Sequence, residues 1–169
     1  MTASGASTWR LPRLRIDRDG AWIHEGEEVT HPGILANLRS NLRLDGQGYY
    51  LEIGPVRVAV DVEDAPFAVL RVEREGEGLT LTVNDLSREA LVPATLRFGP
   101  DGVPYCRVKE GRFEARLARA AAYQLLQHVE YDEAEDAATL ILGDQRHRLP
   151  GPVGGSPATS APVNPYDAV

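Results

Sequence analysis

An α+β fold of two related subdomains is what the sequence predicts, each a mostly antiparallel sheet with one main helix, the two packed into one unit. Three observations predict it. Short apolar–polar alternations recur along the 169 residues, separated by Gly- and Asp-containing turns too short for parallel crossovers. Two segments switch to helical spacing. The order turn, hairpin, helix, hairpin also runs twice: Asp19-Gly20 matches Asp101-Gly102 and Glu25-Gly26 matches Glu110-Gly111, while Leu51, Gly54 and Arg57 recur as Leu140, Gly143 and Arg146.

Residues 1–9 are small and polar and are expected to be disordered. An N-terminal subdomain with extra hairpin strands follows over 10–98. It starts with a strand at 10–17, a turn at Asp19-Gly20 and a second strand at 21–25 carrying Trp22 and His24. Thr30 is read as a helix N-cap with Pro32 in the first turn. Ile34, Leu35, Leu38 and Leu42 then form the stripe of an amphipathic helix that Gly46-Gln47-Gly48 closes.

Residues 49–72 form the longest run of strand formers. Val56, Val58, Val60 and Val62 point one way, and Arg57, Ala59, Asp61 and Glu63 the other. Each valine buried there contributes about 1.5–3 kcal/mol, which pins the register. Asp64-Ala65-Pro66 breaks the pattern, because proline lacks an N–H and turns Ala65 away from helical angles. Phe67 is expected to anchor the core. Leu79, Leu81 and Val83 alternate with threonines up to Asn84-Asp85, and residues 91–98 supply a strand edged by Pro93.

The C-terminal subdomain is read over 99–149 as a weak repeat of the first, with 61–98 inserted between the copies. It comprises a strand at 104–108, a turn at Glu110-Gly111, and a helix at 116–129 with Leu117, Ala121 and Leu125 on one stripe. An acidic turn at 132–136 and a hairpin around Gly143-Asp144 end it. Residues 150–169 carry five prolines with Gly, Ser and Ala and no apolar period, and are expected to form a disordered tail.

A net charge of −7 disfavours nucleic acid as a partner, since the field repels phosphates. The run of about 20 apolar residues that a membrane helix needs is missing, as is a charged-then-apolar leader. A cytoplasmic protein is therefore expected. The single Cys106 permits no internal disulfide or multi-cysteine metal site, and a lone strand cysteine is usually a small core residue. The histidines at 24, 31, 128 and 147 lack metal-ligand spacing, and Gly-rich phosphate loops and nucleophile elbows are missing too. No cofactor is called for.

Asp61, Glu63 and Asp64 gather beside the bend. They read either as a site for a cation, sugar or basic ligand, or as a solvated edge with one turn-capping Asp. Arg10, Arg13, Arg15 and Arg18 alternate with other residues and read as a solvated face. Trp22, Tyr49, Tyr50, Tyr105 and Tyr123 are either core or the walls of an aromatic pocket. Arg107 and Arg119, near Tyr105 and Glu114, form an ion-pair network or an anion grip. The leading functional reading is a small-ligand-binding or regulatory module without catalytic activity. Its candidate ligand residues are Asp61, Glu63, Asp64, Asn84, Tyr105 and Arg107, at a seam between the halves. A hydrolase or isomerase pairing His24 with Asp61 or Asp64, and a scaffold that pairs a protein through a strand edge, stand as alternatives. The partner is an unknown small molecule or protein, and the oligomeric state stays open.

Several phrases together resemble the bacterial family called domain of unknown function 1285. They are Asp19-Gly20-Ala21-Trp22, Val62-Glu63-Asp64-Ala65-Pro66-Phe67, Asn84-Asp85, Pro104-Tyr105 followed by Arg107, and Glu114-Ala115-Arg116 leading into a helix with Arg119 and Tyr123. The resemblance spans about 10–149. It implies a two-subdomain α+β fold and a role in ligand binding or signal transduction, with no established reaction.

Overall fold

The computed structural model describes residues 13–150, so the expected disordered segments lie outside the described residues apart from Pro150. The chain folds as two units that part between Asp64 and Ala65.

The first unit is one six-stranded sheet. Its strands are β1 (Leu14–Ile16), β2 (Trp22–His24), β3 (Glu27–Glu28), β4 (Leu42–Asp45), β5 (Gly48–Ile53) and β6 (Val56–Val62), ordered β3-β2-β1-β6-β5-β4. All neighbours are antiparallel except β1 and β6, which run parallel with Leu14 opposite Val60 and Ile16 opposite Val62. The apolar face carries Leu14, Ile16, Trp22, Leu42, Leu51, Val58 and Val60, all buried. The valine period of β6 holds at its centre only: Val56, beside the Gly54 turn, is 48% exposed.

Helix α1 (Pro32–Ser40) joins β3 to β4. Its N-cap is His31 rather than Thr30: the ring Nδ1 accepts the N–H groups of Gly33 at 3.0 Å and Ile34 at 3.3 Å. The helix is also shorter than its leucine spacing predicts. It ends at Asn41, whose side-chain Nδ2 donates back to the Asn37 carbonyl at 2.9 Å. Leu42 is then buried as the first residue of a strand, paired with Leu51. No helical residue of α1 is buried.

The second unit holds a six-stranded and a three-stranded sheet. The larger contains β7 (Phe67–Glu75), β8 (Gly78–Val83), β9 (Arg88–Ala90), β10 (Arg97–Phe98), β11 (Pro104–Val108) and β12 (Phe113–Leu117), ordered β10-β11-β12-β7-β8-β9. Strands β7 to β9 thus belong with β10 to β12, joined by the parallel pair β7–β12, and not with the segment before them as the expected 98/99 boundary has it. The register of β7 shifts at a bulge between Val69 and Arg71, which leaves Leu70 43% exposed on a strand otherwise anchored by Phe67, Val69 and Val72. The single strand expected over 91–98 is instead divided: Pro93 starts a 3₁₀ turn, Pro93–Thr95, between β9 and β10.

Helix α2 (Arg119–Leu126) packs on β7, burying Ala121 and Leu125 completely. Gln124 Oε1 accepts the Val72 N–H at 2.7 Å, beyond the point at Val69 where the β12 ladder ends. The helix is again shorter than predicted, since Arg116 and Leu117 finish β12. The third sheet is the meander β13 (Val129–Asp132), β14 (Ala137–Leu142) and β15 (Gln145–Leu149).

Candidate functional site

Strand alternation gives the first sheet a second, polar face. Arg15 of β1 pairs with Asp61 of β6 and with Ile23 of β2, so these three side chains leave the sheet on the side opposite Leu14 and Ile16. One residue before β1, the Arg13 carbonyl accepts the Glu25 N–H at 3.0 Å, which extends the ladder. Glu25 and Gly26 then turn with φ of 52° and 87°. A groove of about 560 Å³ results, lined by Arg13, Arg15, Ile23, Glu25, Gly26 and Asp61.

The charges around this groove differ in how they are used. Arg15 Nη1 donates to Glu63 at 3.1 Å, and Arg18 lies 4.0 Å from the same carboxylate. Farther along the sheet Arg57 grips Asp45 with two bonds of 2.7 and 2.9 Å and stacks on Tyr50 at 3.7 Å. That grip, with the Gln47 N–H, holds the Asp45 carboxyl down at about 2. Arg43 reaches Glu52 at 3.4 Å. Among the described residues, the side chains of Arg13 and Asp61 have no hydrogen-bond or ion-pair partner. The predicted carboxylate cluster is therefore unequal: Glu63 is neutralised, Asp61 is open, and Asp64 sits beyond β6 in the bend.

The other expected site residues belong to the second unit, and each is engaged in its framework. Asn84 exchanges bonds with Ala68, its N–H donating to the carbonyl at 2.8 Å and its Oδ1 accepting the N–H at 3.2 Å. Tyr105 is buried beneath the guanidinium of Arg97, 4.3 Å above the ring, and Arg97 also binds Glu114. Arg107 donates from its backbone to Thr95 Oγ1 at 3.1 Å and from Nη1 to the Gly111 carbonyl at 3.2 Å. The aromatic residues separate likewise, Trp22 lying in the core and Tyr123 standing 68% exposed.

Two catalytic readings meet geometric objections. His24 pairs with Leu14 and Asp61 with the next residue, Arg15, so His24 and Asp61 project from opposite faces and cannot act as a pair. Cys106 is buried, and burial, aided by Glu89 and Glu114, pushes its thiol up to about 12; a thiolate nucleophile at neutral pH is not available there. No set of three or more His, Cys, Asp or Glu side chains converges as a metal-binding group among the described residues.

One polar cluster was not foreseen. Lys109 Nζ donates to Asp85 Oδ2 at 2.5 Å and to Ser87 Oγ at 2.8 Å, while Ser87 Oγ donates to Asp85 Oδ1 at 2.5 Å. Both Glu89 carboxylate oxygens accept the Lys109 N–H at 3.1 Å. Burial alone would raise the Asp85 carboxyl; the bonds from Lys109 and Ser87 outweigh it and hold the group below its ordinary value. A paired, depressed carboxylate is a poor general base. The cluster clamps the β8–β9 turn to the β11–β12 turn. Asn84-Asp85 marks the first turn in the sequence, but nothing local announces that Lys109 will reach it.

No protein-family model and no curated protein matches the chain. Two solved structures do. A DUF1285 family protein from Silicibacter pomeroyi DSS-3 is 24% identical with a TM-score of 0.66, covering 85% of this chain and 84% of that one. A DUF1285 family protein from Shewanella baltica OS155 is 22% identical with a TM-score of 0.59, covering 69% of this chain and 91% of that one. These likenesses are of fold: the chain has the two-subdomain α+β architecture of DUF1285 proteins, in agreement with the resemblance carried by its motifs.

Proposed function

We propose that this chain is a cytoplasmic small-ligand-binding module, regulatory in role, and that its ligand occupies the groove on the polar face of the first sheet. The observation that carries this reading is the pair of uncommitted opposite charges, Arg13 and Asp61, lining one groove beside Arg15, whose charge Glu63 already takes up. A smaller basin of about 460 Å³ on the third sheet offers a contrast. There Arg146 meets Glu130 at 3.3 Å and Arg148 meets Glu135 at 3.4 Å, so the basin's arginines are spent internally. Asp61 acts as an acceptor and Arg13 as a donor fork; neither role requires a bond to be made or broken. The same order of strand trio, helix and strand trio occurs in β1–β6 and in β10–β15, and we read it as a duplication in which the groove developed in the first copy.

A thermal-shift screen of the full chain against amino acids, sugars, nucleotides, acyl compounds and metals tests the reading. A ligand at 100 times its dissociation constant stabilises the fold by about 2.7 kcal/mol. The expected result is a hit that Asp61→Lys abolishes while leaving the unliganded melting temperature unchanged, because the side chain is exposed. Hits that ignore Asp61→Lys and Arg13→Glu would place binding elsewhere, and silence across the library would remove the reading.

A further inference from the structure

Resting on that reading, we infer the chemical class of the ligand: a free amino acid with an apolar side chain, its carboxylate on Arg13 and its ammonium on Asp61. Leu14 pairs with Val60 across a parallel ladder, so Arg13 and Asp61 are offset by two residues on adjacent strands. Strand spacing and rise put their Cα atoms about 8 Å apart. Despite opposite charge and this proximity, they form no ion pair with each other. Arg15 stands between them and is turned to Glu63 at 3.1 Å, so it does not neutralise Asp61. The groove therefore presents an open cation, Arg13, and an open anion, Asp61, with a gap between them, and a second carboxylate, Glu25, whose nearest charged neighbour is His24 Nε2 at 3.9 Å.

Charge balance selects among ligands. A carboxylic acid alone would pair Arg13 and cover Asp61, leaving that carboxylate with less water and no partner. An amine alone would do the reverse to Arg13. A zwitterion satisfies both at once, and desolvating an unpaired charge is what costs affinity. Arg13 contributes a planar fork matched to a carboxylate, and Asp61 accepts from an ammonium. Ile23, half-buried on β2 on the far side of Arg15 from Asp61, supplies the apolar wall for a side chain. Glu25 fixes the Arg13 backbone through its N–H and does not compete for the guanidinium.

Isothermal titration of the full chain with three matched probes tests the inference: L-leucine, 3-methylbutylamine, which lacks the carboxylate, and 4-methylpentanoate, which lacks the ammonium. Leucine is expected to bind at least tenfold more tightly than either relative. Arg13→Gln should reduce leucine to the affinity of the amine, and Asp61→Asn to that of the acid, with circular dichroism unchanged in both. Equal binding of all three probes, lost in Asp61→Lys, would overturn the zwitterion assignment and keep the groove as a binding site. No leucine binding, with another compound binding in a manner that depends on Asp61, would do the same. Absence of any Asp61-dependent ligand would overturn the groove reading itself.

Discussion

The Asp85–Lys109 clamp admits a quantitative test. Both side chains are 20% exposed, so the pair stands between a surface bridge, worth about 0–1 kcal/mol, and a buried one, whose breakage costs about 3–5 kcal/mol. Asp85→Asn or Lys109→Met alone should destabilise the protein by about 2 kcal/mol, since each leaves the other charge partly desolvated. The double variant removes both charges and should be milder than the sum, with a coupling of about 1–2 kcal/mol. Urea unfolding at pH 7 measures this cycle. The pH dependence adds a second handle. Asp85 titrates lower in the folded protein than in the unfolded chain, so it binds fewer protons when folded. Its contribution is complete above the unfolded aspartate pKa, about 3.9, and is lost as the pH falls through the lower folded value. The penalty of Asp85→Asn should therefore shrink in acid below that value. Additive single and double variants, within about 0.5 kcal/mol, would refute the clamp. A penalty that does not fall in acid would refute the charge argument.

Two further outcomes follow from local geometry. Leu86 is held at φ 71° in the β8–β9 turn and is 77% exposed, so it carries left-handed strain with little burial in return. Leu86→Gly should stabilise the fold by about 0.5–1 kcal/mol after allowing for glycine's unfolded entropy, raising the melting temperature by about 2 °C; a drop would show that the leucine packs. Asp45 should titrate at about 2 in a carbon-detected NMR series, and Arg57→Gln should return it toward the ordinary aspartate range, whereas an unshifted Asp45 in the parent protein would remove the bidentate grip.

How far the fold was legible depended on which forces were local. Strand β8 was fully legible, because Leu79, Leu81 and Val83 are buried in strict alternation with threonines. The Asp64-Pro66 break was equally plain, since proline acts on its own neighbours. Strand β4 was hidden by an ambiguity of spacing: Leu42 lies four residues after Leu38, as a helix requires, and two before Leu44, as a strand requires. Pairing of Leu42 with Leu51 decides for the strand, and that pairing belongs to the hairpin, not to either residue. Pro93 shows a related limit. It marked a weak point in a strand, but only the structure reveals that the chain turns there and leaves β9 and β10 on opposite edges of one sheet.

The candidate site shows why a binding surface is harder to read than a core. Periodicity placed Asp61 and Glu63 on the outward face of β6, and it placed Arg13 and Arg15 on the outward face of β1. What it could not supply was the parallel ladder that sets Arg15 beside Asp61, since that pairing joins residues 46 apart in sequence. A core tolerates this ignorance, because an apolar residue prefers burial against almost any apolar neighbour. A polar face does not. The same alternation that makes Asp61 and Glu63 look equivalent leaves undecided which one Arg15 will neutralise. In the folded chain it takes Glu63, and that single choice releases Asp61 to face the groove that Arg13 also lines. Replacing Glu63 with glutamine should accordingly turn Arg15 toward Asp61, close the open pair and weaken any ligand held there. A ligand affinity indifferent to Glu63→Gln would mean that Asp61 was never the group in use.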